Sequence, residues 1–106
     1  DWYTYHALDT LLHVAEPSVQ ITSTDAVRLC QFIECDQGGP VMTEVTCPAN
    51  TQQALSGQLR PGCCGIASFQ ITDFNCSGAS DDIRVFIRLD MPDRDACIDY
   101  GLMIHN

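Results

Sequence analysis

Apolar and polar residues alternate with a period of two over several short stretches of this chain. Ile83, Val85, Ile87 and Leu89 alternate with Arg84, Phe86, Arg88 and Asp90, the pattern of a half-buried strand. From Cys97 to Ile104, the residues Ile98, Tyr100, Leu102 and Ile104 share a face, and Ile66 to Phe74 reads as a third strand. The links 77–82 and 91–96 are short and rich in Gly, Asp and Pro. Such links favour antiparallel neighbours, so these three strands are expected to form a C-terminal meander. Earlier in the chain, Val19 and Ile21 alternate with Ser18, Gln20 and Thr22, which predicts a short strand. Two readings compete over Ala26 to Cys35. Ser23, Thr24 and Asp25 can cap a helix. Against that, Val27, Leu29, Gln31 and Ile33 alternate with Arg28, Cys30, Phe32 and Glu34. The β-branched and aromatic content favours the strand.

Asp36 to Pro40 reads as a turn, Val41 to Cys47 alternates as a strand does, and residues 48–62 read as a loop between Pro48 and Pro61-Gly62. Within that loop, Gln52 to Leu59 has the makings of a short helical turn. Only residues 3–16 show a helical period. Tyr5, Ala7, Leu8, Leu11, Leu12, Val14 and Ala15 share one broad face, and Pro17 prevents continuation. The expected fold is mainly β: a small antiparallel β-sandwich or open barrel over about 18–105, preceded by an amphipathic helix over about 3–16. At 106 residues, without internal repeat or linker, the chain reads as one domain.

Charge narrows the list of partners. Fourteen acids oppose five cations, a net charge of −9, and every cation is Arg. Nucleic-acid binding through phosphates and docking on anionic membranes both need clustered basic residues, so neither is expected. No apolar run is long enough to span a bilayer. Eleven of the acids are Asp, and seven of those lie between Asp73 and Asp99. Asp favours turns and calcium loops over helix interiors. The lack of Lys removes Schiff-base chemistry.

Seven cysteines are spread along the chain: Cys30, Cys35, Cys47, Cys63, Cys64, Cys76 and Cys97. None has the C-x-x-C spacing of a zinc ribbon or redox site, so a disulfide framework in an oxidising compartment is expected. The start at Asp1, with no charged-then-apolar leader, suits a secreted product after signal removal. Six cysteines pair in a connectivity that spacing does not reveal. The seventh is either a buried small hydrophobe or a link between subunits. Adjacent Cys63 and Cys64 point to opposite faces if extended and should reach different partners.

Three patterns are candidates for chemistry. Asp73, Asn75 and Ser77, followed by Gly78 and closed by Asp81 or Asp82, place oxygens as the front of a calcium loop does. Arg84 stands where an EF-hand needs its bidentate Glu, so an EF-hand is excluded. The competing reading is a polar turn. Asn75-Cys76-Ser77 also matches a glycosylation sequon. His6, Asp9 and His13 form a stripe on the expected helix, but positions 6 and 13 would stand roughly 10 Å apart along it, too far for one ion. Finally, Trp2, Tyr3, Tyr5 and Phe86 are candidate interaction residues, with Phe86 flanked by Arg84 and Arg88.

No catalytic motif is present: there is no G-x-S-x-G elbow and no phosphate-cradling Gly loop. Cys63 and Cys64 in Pro61-Gly62-Cys63-Cys64-Gly65 read as half-cystines and not as nucleophiles. The function expected is therefore non-enzymatic. The chain reads as an extracellular structural or interaction domain, a self-assembling subunit of a coat, filament or surface structure. The alternatives are a monomeric secreted effector or inhibitor, and a calcium-stabilised adhesion or carbohydrate-binding module. The expected partner is the chain itself or another extracellular protein, with no cofactor unless calcium.

Overall fold

The computed structural model describes residues 1–8, 16–36, 45–72, 74, 76, 82–91 and 97–105. Eight strands are found among them: β1 (Trp2–Ala7), β2 (Ser18–Thr22), β3 (Arg28–Cys35), β4 (Gln52–Leu55), β5 (Pro61–Gly65), β6 (Phe69–Gln70), β7 (Ile83–Asp90) and β8 (Gly101–His105). They build two antiparallel sheets, one of five strands in the order β1-β7-β3-β5-β4 and one of three in the order β6-β2-β8.

The sheets bury a common core. Leu29, Ile33, Ile83, Val85 and Ile87 from the large sheet pack with Val19 of the small one and with Ile71 and Val45, all almost fully buried. The Gln31 amide crosses the layers, donating through Nε2 to the Phe69 carbonyl at 2.9 Å. Its other amide atom, Oε1, is buried without a partner among the described residues.

Alternation explains the strands that sequence reading located: β2, β7 and the favoured strand reading of 26–35, which becomes β3. In other segments the expectation is corrected. Over the described residues the N-terminal helix is not formed: residues 2–7 are a strand paired with β7, from Trp2↔Arg88 to Ala7↔Ile83. Tyr5 and Ala7 satisfy a period of two as well as 3.6, and aromatic and Thr residues favour the pleat. Leu11, Leu12, Val14 and Ala15, which made the helical face convincing, lie outside the described residues.

The meander is also overturned. β7 lies between β1 and β3, whereas β8 pairs with β2 in the other sheet, from Ser18↔His105 to Thr22↔Gly101. Ile83, Val85, Ile87 and Leu89 are buried on one face of β7, and Phe86 and Arg88 are half-buried on the other. A strand so covered gains most at the middle of a sheet. The expected strand at 66–74 shortens to β6. The expected loop at 48–62 contains β4 and the start of β5, and a turn replaces the helical turn expected over Gln52 to Leu59. Of the strand expected over Val41 to Cys47, residues 41–44 lie outside the described region.

Three disulfides brace this framework: Cys30–Cys64, Cys35–Cys76 and Cys47–Cys63, leaving Cys97 as an exposed free thiol. Adjacent Cys63 and Cys64 do face opposite ways. Cys63 bonds Cys47 on the core side, and Cys64 bonds its cross-strand neighbour Cys30. Gly62 is obligatory between Pro61 and Cys63. An added Cβ there would lie 2.0 Å from the Gln31 carbonyl oxygen and 2.7 Å from the Phe32 Cα.

A candidate binding face on the five-stranded sheet

The outward side chains of the large sheet run in rows across its strands. One row is Trp2, Arg88, Cys30 and Cys64; the next is Thr4, Phe86, Phe32 and Gly62; the third is His6, Arg84 and Glu34. A face directed away from the core is normally polar. Here its centre is aromatic. Phe32 is fully buried although it points outward, because Trp2 stacks on it with ring centroids 6.0 Å apart. The Arg88 guanidinium lies beside the stacked pair, 5.8 Å from the Trp2 ring and 5.7 Å from the Phe32 ring. The Arg60 guanidinium sits 3.9 Å above Phe86, a cation–π contact.

Ion pairs hold these cations in place. Arg60 Nε donates to Glu34 Oε2 at 2.6 Å, and the same guanidinium bonds the Gln58 side-chain oxygen. Arg28 grips Asp90 with two bonds of 2.7 Å, and Arg88 approaches the same carboxylate at 3.3 Å. The Arg28 hydrogen bonds, followed by the charges of Arg28 and Arg88, hold the Asp90 carboxyl below its ordinary pKa despite the opposing cost of partial burial. His6 Nδ1 lies 2.9 Å from Asp36 at the margin. Arg84 is exposed and makes no ion pair with another described residue.

Trp2, Phe86 and Arg60 also line a groove of about 600 Å³, together with the turn Ser56 to Gln58. That turn is tightly built. Ser56 Oγ accepts from the Gln58 and Arg60 amides, and Leu59 takes a left-handed φ of 62°. A second depression of about 400 Å³, between Val45, Gln53 and Leu55 at the β4 edge, has no titratable or nucleophilic side chain among its lining residues.

Charge is segregated among the described residues. The face carries Arg28, Arg60, Arg84 and Arg88 against Glu34, Asp36 and Asp90, whereas the other described charged side chains are five acids, Asp1, Glu16, Asp25, Asp82 and Asp99, and no arginine.

The four aromatic candidates divide between the two sides of β1 and β7. Trp2 and Phe86 share the outer face. Tyr3 and Tyr5 alternate to the other side, where Tyr5 packs against the core with its hydroxyl buried and unpaired among the described residues. Burial pushes the Tyr5 phenol well above its ordinary pKa. Tyr3 bonds the hydroxyl of Tyr100, which donates to the Asp1 carboxylate. Burial, then the bond to Tyr3, pushes Tyr100 up to about 12.

Sequence reading did not select Phe32, Arg60 or Arg88 as site residues. The signal for Phe32 was the alternation that set it beside Cys30 and Glu34. Arg60 carried none, since its place depends on the β4–β5 turn.

The calcium candidates are not brought together in the described region: Asp73, Asn75, Ser77 and Asp81 lie outside it. The Asp82 carbonyl accepts the Asp36 amide at 3.0 Å. His6 sits on a strand, and Asp9 and His13 are outside the described residues. Among those described, no group of three His, Cys, Asp or Glu could hold a metal ion, and no helix is long and apolar enough to cross a membrane. Compared with family models, curated proteins and solved structures, this chain gives no match.

Proposed function

We propose that this chain is a non-enzymatic extracellular domain that self-assembles as a subunit of a coat, filament or surface structure. The observation that carries the reading is the outer face of the five-stranded sheet, where an exposed Trp2 and four arginines gather on a chain otherwise strongly acidic. Exposed aromatics with Arg, ringed by polar groups, are the composition of a protein-binding surface. Complementary charge on the same chain favours a partner of the same kind. The three disulfides suit an oxidising, extracellular setting.

Sedimentation velocity over a range of concentrations tests this. The expected result is a mass-average that rises with concentration through multiples of the monomer. A single monomeric species at every concentration overturns it. Running the same samples on non-reducing and reducing gels separates non-covalent assembly from linkage through Cys97.

A further inference from the structure

We infer that the outer face of the five-stranded sheet docks on the outer face of the three-stranded sheet of a second copy, so that copies stack head to tail. The inference rests on the self-assembly reading and names the two surfaces that meet.

The receiving surface follows from alternation. Val19, Ile21 and Leu102 turn into the core, so Gln20, Thr22, Met103 and His105 turn out, and all four are exposed. The same alternation extends beyond the strands. Glu16, two residues before β2, is exposed, and its carboxylate accepts from Gln70 Nε2 on β6 at 3.3 Å. Cys97 and Asp99 are exposed between half-buried Ile98 and Tyr100. This surface thus has acids at its borders and Met103, 64% exposed, standing out of it. All four arginines among the described residues lie on the opposite side of the molecule's two layers.

Charge decides how two copies meet. Pairing two copies through the same aromatic face would oppose two surfaces of net positive charge, and it would offer the exposed Arg84 only carboxylates already engaged: Glu34 by Arg60, Asp36 by His6 and Asp90 by Arg28 and Arg88. Pairing the arginine face with the Glu16–Asp99 surface sets opposite charges together and places Trp2 against an exposed thioether. Contact between two different patches is heterologous, and unless the rotation closes a ring it propagates without limit. Cys97 would then be covered by a neighbour's sheet and would not meet another Cys97.

The test uses sedimentation velocity on the intact, oxidised chain. Wild-type assemblies should dissociate on going from about 0.05 M to about 1 M salt, as the screening length shrinks. Arg84→Glu and Asp99→Arg each reverse one exposed side chain on one of the two surfaces. Each alone should raise the dissociation constant about tenfold or more, and the double variant should recover assembly, because the charges are exchanged across the contact. Far-UV circular dichroism checks that each variant is folded.

If Asp99→Arg assembles like wild type while Arg84→Glu does not, the contact is symmetric and the inference is overturned. If the double variant is as weak as the sum of the singles, the two surfaces do not meet. If assemblies form but ignore both variants and salt, this interface falls and self-assembly stands. A wild type that never leaves the monomer removes both.

Discussion

Replacing Gly62 with alanine tests the close approach that organises the middle of the large sheet. The new methyl would stand 2.0 Å from the Gln31 carbonyl oxygen, whereas ordinary contact begins near 3.4 Å. Strands β3 and β5 must therefore part locally by more than an ångström. Two neighbouring ladder bonds would be lost, each contributing about 0.5–1.5 kcal/mol. The Cys30–Cys64 bond two residues away prevents β5 from swinging clear, so overpacking strain of about 1–3 kcal/mol remains. Reduced freedom of the unfolded chain returns about 0.4–1 kcal/mol. The net expectation for Gly62→Ala is a loss of about 1–5 kcal/mol, centred near 3, or a Tm lowered by on the order of 10–20 °C. Gly57→Ala is the control, since nothing lies within 4 Å of a Cβ there. It should be neutral or stabilising by up to about 1 kcal/mol. Urea unfolding of the oxidised proteins, followed by the fluorescence of Trp2, the single tryptophan, reads both. Equal midpoints for the two variants would refute the reasoning.

Phe32→Ala should cost about 3–5 kcal/mol in the same assay, as for a core residue, although the side chain points away from the core. Asp90, whose folded pKa is lowered, contributes stability that is present above its unfolded pKa and is lost as pH falls through the folded one. Asp90→Asn should therefore flatten the acid end of the stability–pH curve; an unchanged slope between about pH 5 and pH 2 argues against the Arg28 pairing. Iodoacetamide should add one group per unreduced monomer, at Cys97 alone, and none to Cys97→Ser, as read by peptide mass spectrometry. In a spectrophotometric titration, Tyr5 and Tyr100 should still be protonated at about pH 11, with Tyr100 following near 12.

Strands whose two faces differ in polarity were legible from the sequence. β7 is the clearest, because its alternation is uninterrupted over eight residues, and β3 was readable once its aromatic and β-branched content was weighed. β1 is ambiguous in the sequence because Tyr5 and Ala7 fit two periods at once, and the longer apolar series from Leu8 onward favours the helical one. β4 and β5 escaped because Gln52-Gln53 and Pro61-Gly62-Cys63-Cys64 have the composition of a loop. Pairing with β3 and cross-links to Cys30 and Cys47 hold β5 extended, and β4 is held by its pairing with β5. Strand order is not legible for a different reason: short links say which strands are close in sequence, whereas the buried face of β7 and the half-buried Phe86 and Arg88 on the other decide which strands flank it. At the site, the alternation of β7 announced Phe86 between two arginines. The stacking of Trp2 on Phe32 needed β1 to be a strand, so it could not be foreseen from a helix.

The neighbouring half-cystines Cys63 and Cys64 carry a consequence for how the oxidised chain matures. If they exchanged partners, so that Cys30 bonded Cys63, β5 would slide by one residue along β3 and turn its faces inside out. Pro61 would then stand opposite Phe32, where Gly62 stands in the native register. Proline brings a ring to a place with no room for even a methyl group, and it has no amide hydrogen to donate to the ladder. The mis-bridged isomer is thus penalised by the residues beside the bond, so the order of four consecutive residues, Pro61 to Cys64, favours one of the two pairings that adjacent cysteines allow.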